Sequence, residues 1–331
     1  MEEWELEKAS AVPGVPLEDR YVMSERLGKG AAGEVWVARD RRLDIDVAVK
    51  LLHAGHAASP EMLERFAREA DVAERMLSPN VVKVLGRGLT RAGIPYIAYE
   101  RLEGEELAVR LAGGTRMSLA DARTIIIHLC RGLARAHAVG VLHRDVKPEN
   151  VFLTMDDRGR MLAKLLDFGV AELVAERKSG DPHTLVGTLE YMAPEVLLDE
   201  SPPSPRSDLY AVGVIAYECC LGRLPRAADS VGELVVALAT EKIPPASELR
   251  GELPLEIDVW FERALARNPD ERFNSAKEMA EALHVVMVEA VQSEGELRAA
   301  KSSLRPVPFV FEERRGATYS MIPGRADRGS E

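Results

Sequence analysis

His143-Arg144-Asp145-Val146-Lys147-Pro148-Glu149-Asn150, with Asp167-Phe168-Gly169 downstream, decides how the rest of this chain is read. Upstream, Gly28-Lys29-Gly30-Ala31-Ala32-Gly33-Glu34-Val35 gives G-x-G-x-x-G-x-V. Glycine lets backbone N–H groups approach a phosphate because no Cβ stands in the way. Taken alone, the triplet fits a ligand-free hairpin or a dinucleotide-binding turn as well. A strand pattern, Val35-Trp36-Val37-Ala38, follows it where the dinucleotide reading needs a helix. No G-x-x-x-x-G-K-[ST] occurs, which excludes a Walker-type loop. Val47-Ala48-Val49-Lys50 ends an apolar run on a lysine, in isolation a surface residue at a strand end. Its position between the glycine loop and a helix carrying Glu69 favours a phosphate-gripping lysine oriented by an anion. Glu69 is the natural candidate for that anion, with Glu64, Asp71 and Glu74 competing.

Composition bounds the remaining possibilities. The chain has 331 residues and a formal charge of −11, from 43 Lys and Arg against 54 Asp and Glu. That balance argues against nucleic acid as the main partner, since phosphate-backbone binding draws on excess basic charge. Three cysteines, two of them the adjacent Cys219 and Cys220, exclude a disulfide scaffold and favour a reducing, cytoplasmic compartment. The acidic start is unlike a secretory signal. The longest apolar stretch, around Leu209 to Leu221, is broken by Glu218 and is too short to span a bilayer, so no transmembrane segment is expected.

Strand patterns fall at Glu34–Arg39, Ile45–Leu52, Val81–Gly86 and Ile94–Glu100, with one amphipathic helix at about Pro60–Met76. Past Gly104, helical periodicity dominates Leu119–His137, Ser207–Cys220, Val231–Thr240, Leu255–Ala266 and Ser275–Val288. A β-rich half followed by an α-rich half predicts two lobes. From residue 286 onward seven acidic residues meet seven basic ones, so the negative charge lies earlier in the chain.

Together the motifs resemble the protein kinase superfamily, from about Tyr21 to His284, and most closely the bacterial serine/threonine kinases that share the eukaryotic kinase fold. Gly187-Thr188-Leu189-Glu190-Tyr191-Met192-Ala193-Pro194-Glu195, Ser207-Asp208-Leu209-Tyr210-Ala211-Val212-Gly213 and Asn268-Pro269-Asp270-Glu271-Arg272-Phe273 extend the match. The resemblance implies an α+β, bilobal protein kinase fold. A small β-rich N-lobe with one key helix (about 18–102) would precede a larger α-helical C-lobe (about 103–285). A leader (1–17) and a C-terminal helix end with a flexible tail (286–331) would flank them.

It also implies roles. Phosphoryl transfer passes through a loose transition state, so an enzyme mostly positions groups and neutralises charge. Asp145 would orient the attacking hydroxyl and accept its proton, with Lys147 on the γ-phosphate as the mark of Ser/Thr specificity. Asn150 and Asp167 would hold Mg²⁺, or Mn²⁺ in its place. Lys50, held by Glu69, would grip the α- and β-phosphates of ATP under a lid formed by Leu27, Gly28, Lys29, Gly30 and Gly33. Val35, Ala48 and Phe152 would sandwich the adenine, Glu100 and Leu102 would offer backbone groups to its edge, and Tyr99 would close the back of the pocket. Thr188 would shape the acceptor site. Glu195 is expected to pair with Arg272, and Asp208 to hold the backbone near His143 and Arg144, both without chemistry of their own.

Arg144 beside Asp145 calls for an anion, and a phosphate on Thr184, with Ser179 in reserve, would supply it. Ala31 and Ala32 depart from the glycine and aromatic that kinases often carry at the loop tip, and Arg226 stands where an aromatic is common. Protein substrates bearing Ser or Thr are the expected partners. A regulatory protein, or the chain's own phosphorylation, would provide the input. Oligomeric state has no signature in the sequence. The rival reading is a nucleotide-binding pseudokinase that signals by conformation. Such proteins usually lack the lysine, the catalytic aspartate or the metal aspartate, and here Lys50, Asp145 and Asp167 are all present.

Overall fold

Alternation in Ile45-Asp46-Val47-Ala48-Val49-Lys50-Leu51-Leu52 sends successive side chains to opposite faces of a strand, and the first layer of the fold is built on that rule. The computed structural model describes residues 16–29, 33–53, 76–168 and 189–303. Strands β1 (Pro16–Leu17), β2 (Tyr21–Lys29), β3 (Gly33–Asp40), β4 (Ile45–Leu52), β5 (Val84–Leu89) and β6 (Pro95–Glu100) form one sheet, in the order β1-β2-β3-β4-β6-β5. Every pairing in it is antiparallel. Val47, Val49 and Leu51 join Trp36, Ala38, Tyr96 and Ala98 in one apolar cluster. Ala48 and Leu52 join Ile97, Tyr99 and Leu102 in another. Lys50 has the parity of Ala48 and Leu52, so its side chain leaves the sheet on their face.

One expected strand shifts. Val81–Gly86 does not begin the sheet; β5 starts at Val84. The preceding residues are tied instead to the hairpin of β8 (Val151–Met155) and β9 (Met161–Leu165). Val82 N–H donates to the Leu165 carbonyl at 3.0 Å, Leu165 N–H to that of Asn80 at 2.9 Å, and the Asn80 amide to that of Ala163 at 3.0 Å. Residues bonded this way cannot also join the ladder. A short β7 (Glu105–Glu106) pairs with β8 to complete a second sheet.

Helices form the other lobe: α1 (Leu107–Leu111), α2 (Leu119–Ala138), α3 (Pro194–Leu197), α4 (Pro205–Leu221), α5 (Val231–Thr240), α6 (Ala246–Leu249), α7 (Glu256–Ala264) and α8 (Ala276–Ser303). Ser118 starts α2 by accepting from Asp121 N–H at 3.0 Å. Behind that cap Leu119, Ala122, Ile126, Leu129 and Leu133 follow helical spacing into the core. Each fully buried Leu or Ile contributes about 1.5–3 kcal/mol. Helix α4 is apolar almost all round and runs through the middle of this core, with Cys219 and Cys220 packed inside it. It stops at Gly222, whose φ of +68° and approach to the Gly114 carbonyl (2.1 Å from a Cβ there) admit only glycine.

Helix α8 continues past the expected end at Val288 to Ser303. Buried Met287 packs into the helical core. Beyond it, Glu294 accepts from Leu119 N–H at 2.8 Å and from Arg250 at 2.9 Å. Arg250 is itself buried and donates to the carbonyls of Met117 and Cys220. These contacts anchor a turn that local apolar spacing does not announce. No helix among the described residues is long and apolar enough to cross a membrane.

Candidate active site

The glycine hairpin comes first in the chain. Gly28 pairs with Val35 and Lys29 with Glu34 across β2 and β3. A Cβ on Gly33 would lie 2.0 Å from the Leu51 carbonyl, so glycine is required there for strand packing. A Cβ on Gly28 would meet nothing within 4 Å. Leu27 and Lys29 are exposed, and Val35 and Ala48 are half-buried. Gly30 and Glu69 lie outside the described residues, as do Gly169, Ser179, Thr184 and Thr188 and all but the last residue of the helix expected at about Pro60–Met76.

Between the lobes the chain passes through Tyr99, Glu100 and Leu102. Tyr99 is buried against Ile97, Leu52 and Val82, while Leu102 is half-buried at the edge of the same cluster. The Glu100 carboxylate accepts from Lys83 N–H at 2.8 Å and from Lys164 at 2.6 Å, so it is engaged within the protein. Phe152 lies opposite Lys164 in the β8–β9 register.

The loop after α2 carries the densest chemistry. Arg144 has φ +67° and Asp167 φ +47°, left-handed conformations that cost a non-glycine residue about 1–3 kcal/mol. Asp208 compensates at the first by accepting from His143 N–H at 3.0 Å and Arg144 N–H at 2.8 Å, while its Oδ2 also meets His137 Nε2 at 2.8 Å. His143 is fully buried. Its Nε2 must donate to the Leu166 carbonyl at 2.8 Å, and its Nδ1 accepts from Asp145 N–H at 3.3 Å. That pair of bonds specifies a neutral imidazole with the proton on Nε2. Burial acts the same way, holding its pKa below the ordinary range against the pull of Asp208 and Asp145.

These contacts fix the carboxylate of Asp145. Pro148 opens a 3₁₀ turn, Pro148–Asn150, that folds Asn150 back so that its Nδ2 donates to the Asp145 carbonyl (2.8 Å) and to Oδ2 (2.9 Å). Lys147 Nζ sits 3.0 Å from the same Oδ2. Leu166 N–H donates to the Asn150 carbonyl at 2.9 Å. With its carbonyl bound by His143, Leu166 is clamped on both sides, and Asp167 follows directly. Lys50 Nζ lies 2.9 Å from Asp167 Oδ1. Burial disfavours charge on Asp167, but Lys50, by proximity and hydrogen bond, outweighs it with help from Lys147. The carboxyl is therefore held below its usual range. Phe168 is buried with its ring 4.5 Å from that of His143.

The structure thus brings together Lys50, Asp145, Lys147, Asn150 and Asp167. The amide nitrogen of Asn150 is committed to Asp145, which leaves its oxygen, with Asp167 Oδ2, as the hard donors that Mg²⁺ prefers. The residues present fit such an ion.

Both expected scaffold pairs are present. Arg272 holds Glu195 through two bonds, at 2.9 and 2.7 Å, with both side chains buried, and Ser207 adds a third at 2.9 Å. Sequence reasoning missed Lys164, His137 and Glu106. Glu106 on β7 lies opposite Phe152 on β8, and burial raises its carboxyl, with Glu149 and Asp167 adding to the effect. A buried lysine in an otherwise apolar strand was the available signal for Lys164. Nothing local marked the other two.

Comparison with known proteins agrees with this geometry. The family model described as protein kinase domain matches residues 21–285. The serine/threonine-protein kinase PknH of Mycobacterium tuberculosis is 35% identical over 290 residues, covering 87% of this chain and 45% of that protein. Pkn1 of Myxococcus xanthus, also a serine/threonine-protein kinase, is 35% identical over 311 residues, 93% of this chain and 43% of that protein. This chain therefore spans less than half the length of these curated relatives. The crystal structure of the Mycobacterium tuberculosis PknI kinase domain superposes with a TM-score of 0.63 at 29% identity, covering 83% of this chain and 98% of that one.

Proposed function

The chain belongs to the protein kinase family, among the bacterial serine/threonine kinases, and from that premise we propose that it transfers the γ-phosphate of ATP to Ser and Thr hydroxyls of proteins in signalling. One observation carries the reading: Asp145 is held through a single carboxylate oxygen by Lys147 and Asn150, and its other oxygen makes no hydrogen bond among the described residues. That second oxygen orients the acceptor hydroxyl and takes its proton as the new P–O bond forms and the bond from the γ-phosphorus to the β–γ bridging oxygen breaks, releasing ADP. Lys147 lies next to the developing charge and steadies the γ-phosphate. Lys50 holds the α- and β-phosphates, and its bond to Asp167 keeps it in the cleft before nucleotide arrives. Asn150 and Asp167 bind Mg²⁺, or Mn²⁺ in its place, and the ion supplies charge neutralisation of the phosphates when bound. Val35, Ala48 and Phe152 enclose the adenine, with Glu100 and Leu102 along its edge. Leu27, Gly28, Lys29, Gly30 and Gly33 cover the phosphates. Glu69 orients Lys50, Thr188 positions the acceptor, and Thr184 or Ser179 takes an activating phosphate that pairs with Arg144.

The full chain incubated with ATP and Mg²⁺ should phosphorylate itself, with phosphate on Thr184 or Ser179 by mass spectrometry. Asp145→Asn and Lys50→Met should abolish that transfer. A folded wild-type chain that moves no phosphate to itself or to a panel of Ser/Thr peptides would overturn the proposal.

A further inference from the structure

Lys164 is a lysine with 8% of its surface exposed, set among Ala163 and Leu165 on β9, and neither the phosphates nor the acceptor requires it. Its ammonium lies 2.6 Å from Glu100 Oε1. The same oxygen accepts from Lys83 N–H at 2.8 Å, and Glu100 N–H donates back to the Lys83 carbonyl at 2.9 Å. Glu100 is the last residue of β6, where the chain leaves the strand layer for the helical one. A few residues on, that connection is pinned again. Gly104 has φ +145°, and a Cβ there would fall 1.9 Å from the Leu153 carbonyl on β8. Lys164 is the cross-strand partner of Phe152, so the two side chains leave the β8–β9 hairpin on the same face.

The floor of the adenine slot and the post that holds its edge therefore stand side by side on one hairpin. From this juxtaposition we infer that Lys164 is a positioning residue for nucleotide binding. Through Glu100 it sets the height of the inter-lobe backbone above Phe152, and with it the gap that accepts a planar purine. The inference rests on the kinase reading and adds to it a determinant of base affinity that touches neither base nor phosphate. A charged pair suits the task better than an apolar contact, because a short ion pair with a shared backbone N–H defines both distance and direction.

The test uses the full chain and two probes bound separately at equilibrium, adenosine and tripolyphosphate, together with steady-state kinetics. Lys164→Met should weaken adenosine by about tenfold and raise KM for ATP in the same proportion. Tripolyphosphate affinity and kcat at saturating ATP should stay within about twofold, since Lys50 and Asp145 are untouched. Lys164→Arg should restore most of the adenosine affinity. If Lys164→Met leaves Glu100 unpaired and the chain fails to fold, Lys164→Met combined with Glu100→Gln removes the stranded charge and is read on adenosine against tripolyphosphate binding alone. Unchanged adenosine affinity in whichever variant folds, even with a lower melting temperature, would reduce Lys164 to a structural role and overturn the inference alone. A folded wild-type chain that binds neither adenosine nor ATP would overturn the kinase reading and this inference together.

Discussion

Two pairs of carboxylates in this fold are treated in opposite ways. Glu195 and Asp208 have both oxygens occupied: Arg272 and Ser207 surround the first, and two backbone N–H groups with His137 surround the second. Asp145 and Asp167 each have one oxygen engaged and one without a hydrogen bond among the described residues. A saturated buried carboxylate does structural work, because every bond it can form is made within the fold. A carboxylate held by half keeps its orientation and offers the remaining lone pairs to a ligand. On the proposed function, this difference marks scaffold from chemistry better than residue type does, since all four are acids on short loops or helix starts.

Removing the charge of Asp145 tests the half-held class and should have the largest effect. Asp145→Asn should lower the rate of phosphoryl transfer by at least about a hundredfold, with the melting temperature almost unchanged. A large loss of stability would place Asp145 with the scaffold instead. Arg272→Met tests the saturated class. It strands Glu195 inside the protein and should cost about 3–5 kcal/mol in urea unfolding, with near-normal nucleotide affinity in the fraction that folds. An unfolding midpoint equal to wild type would end the distinction. Asp208→Asn is milder, because the side chain stays in place but presents an N–H where it must accept. A loss of about 1–3 kcal/mol is expected, with a lower kcat as the loop at His143 and Arg144 relaxes.

The last test concerns pH. Burial pushes the carboxyl of Glu190 up to about 7 from an ordinary 4.5, against a bond from Ala228 N–H and with Glu218 adding to the rise. A carboxyl raised in the fold binds its proton more tightly there than in the unfolded chain. It therefore favours the fold at low pH and loses that contribution as pH climbs from 4.5 to 7. Glu190→Gln lacks the group, so its stability relative to wild type should rise across that window and level off above it. Urea midpoints measured along the pH series would read this directly, and a flat difference would reject it. Glu195 runs the other way. Burial opposes its charge, but the Arg272 pair outweighs that and holds its pKa below 4.5, so it supports the fold above that value and loses this support as pH falls.

Much of the fold was legible because its signals are local. Period-two alternation in Ile45–Leu52 found the strand, and helical spacing behind Ser118 found α2, since both depend on neighbours a few residues away. The strand expected at Val81–Gly86 was misplaced because distant β9 captures Asn80 and Val82, a competition invisible along the chain. The end of α8 was missed for the same reason: Glu294 is an ordinary helix glutamate until Arg250 and Leu119 come to meet it. At the candidate site, Asp145, Lys147 and Asn150 could be read as a unit because one turn brings them together. Lys164 could not, because its partner Glu100 lies 64 positions away.

By itself the sequence determined which chemical groups this protein carries, their order, and the sheet-then-helix division, all properties of spacing along a chain. Tertiary packing decided which oxygen of each acid is committed and which is offered. It brought Lys50 to Asp167 across 117 positions and set Lys164 beneath the connection between the lobes. The reason is physical. A hydrogen bond needs its partners within about 3 Å and correctly aimed. Between segments far apart in sequence, only the packing of the two lobes against one hairpin supplies that precision.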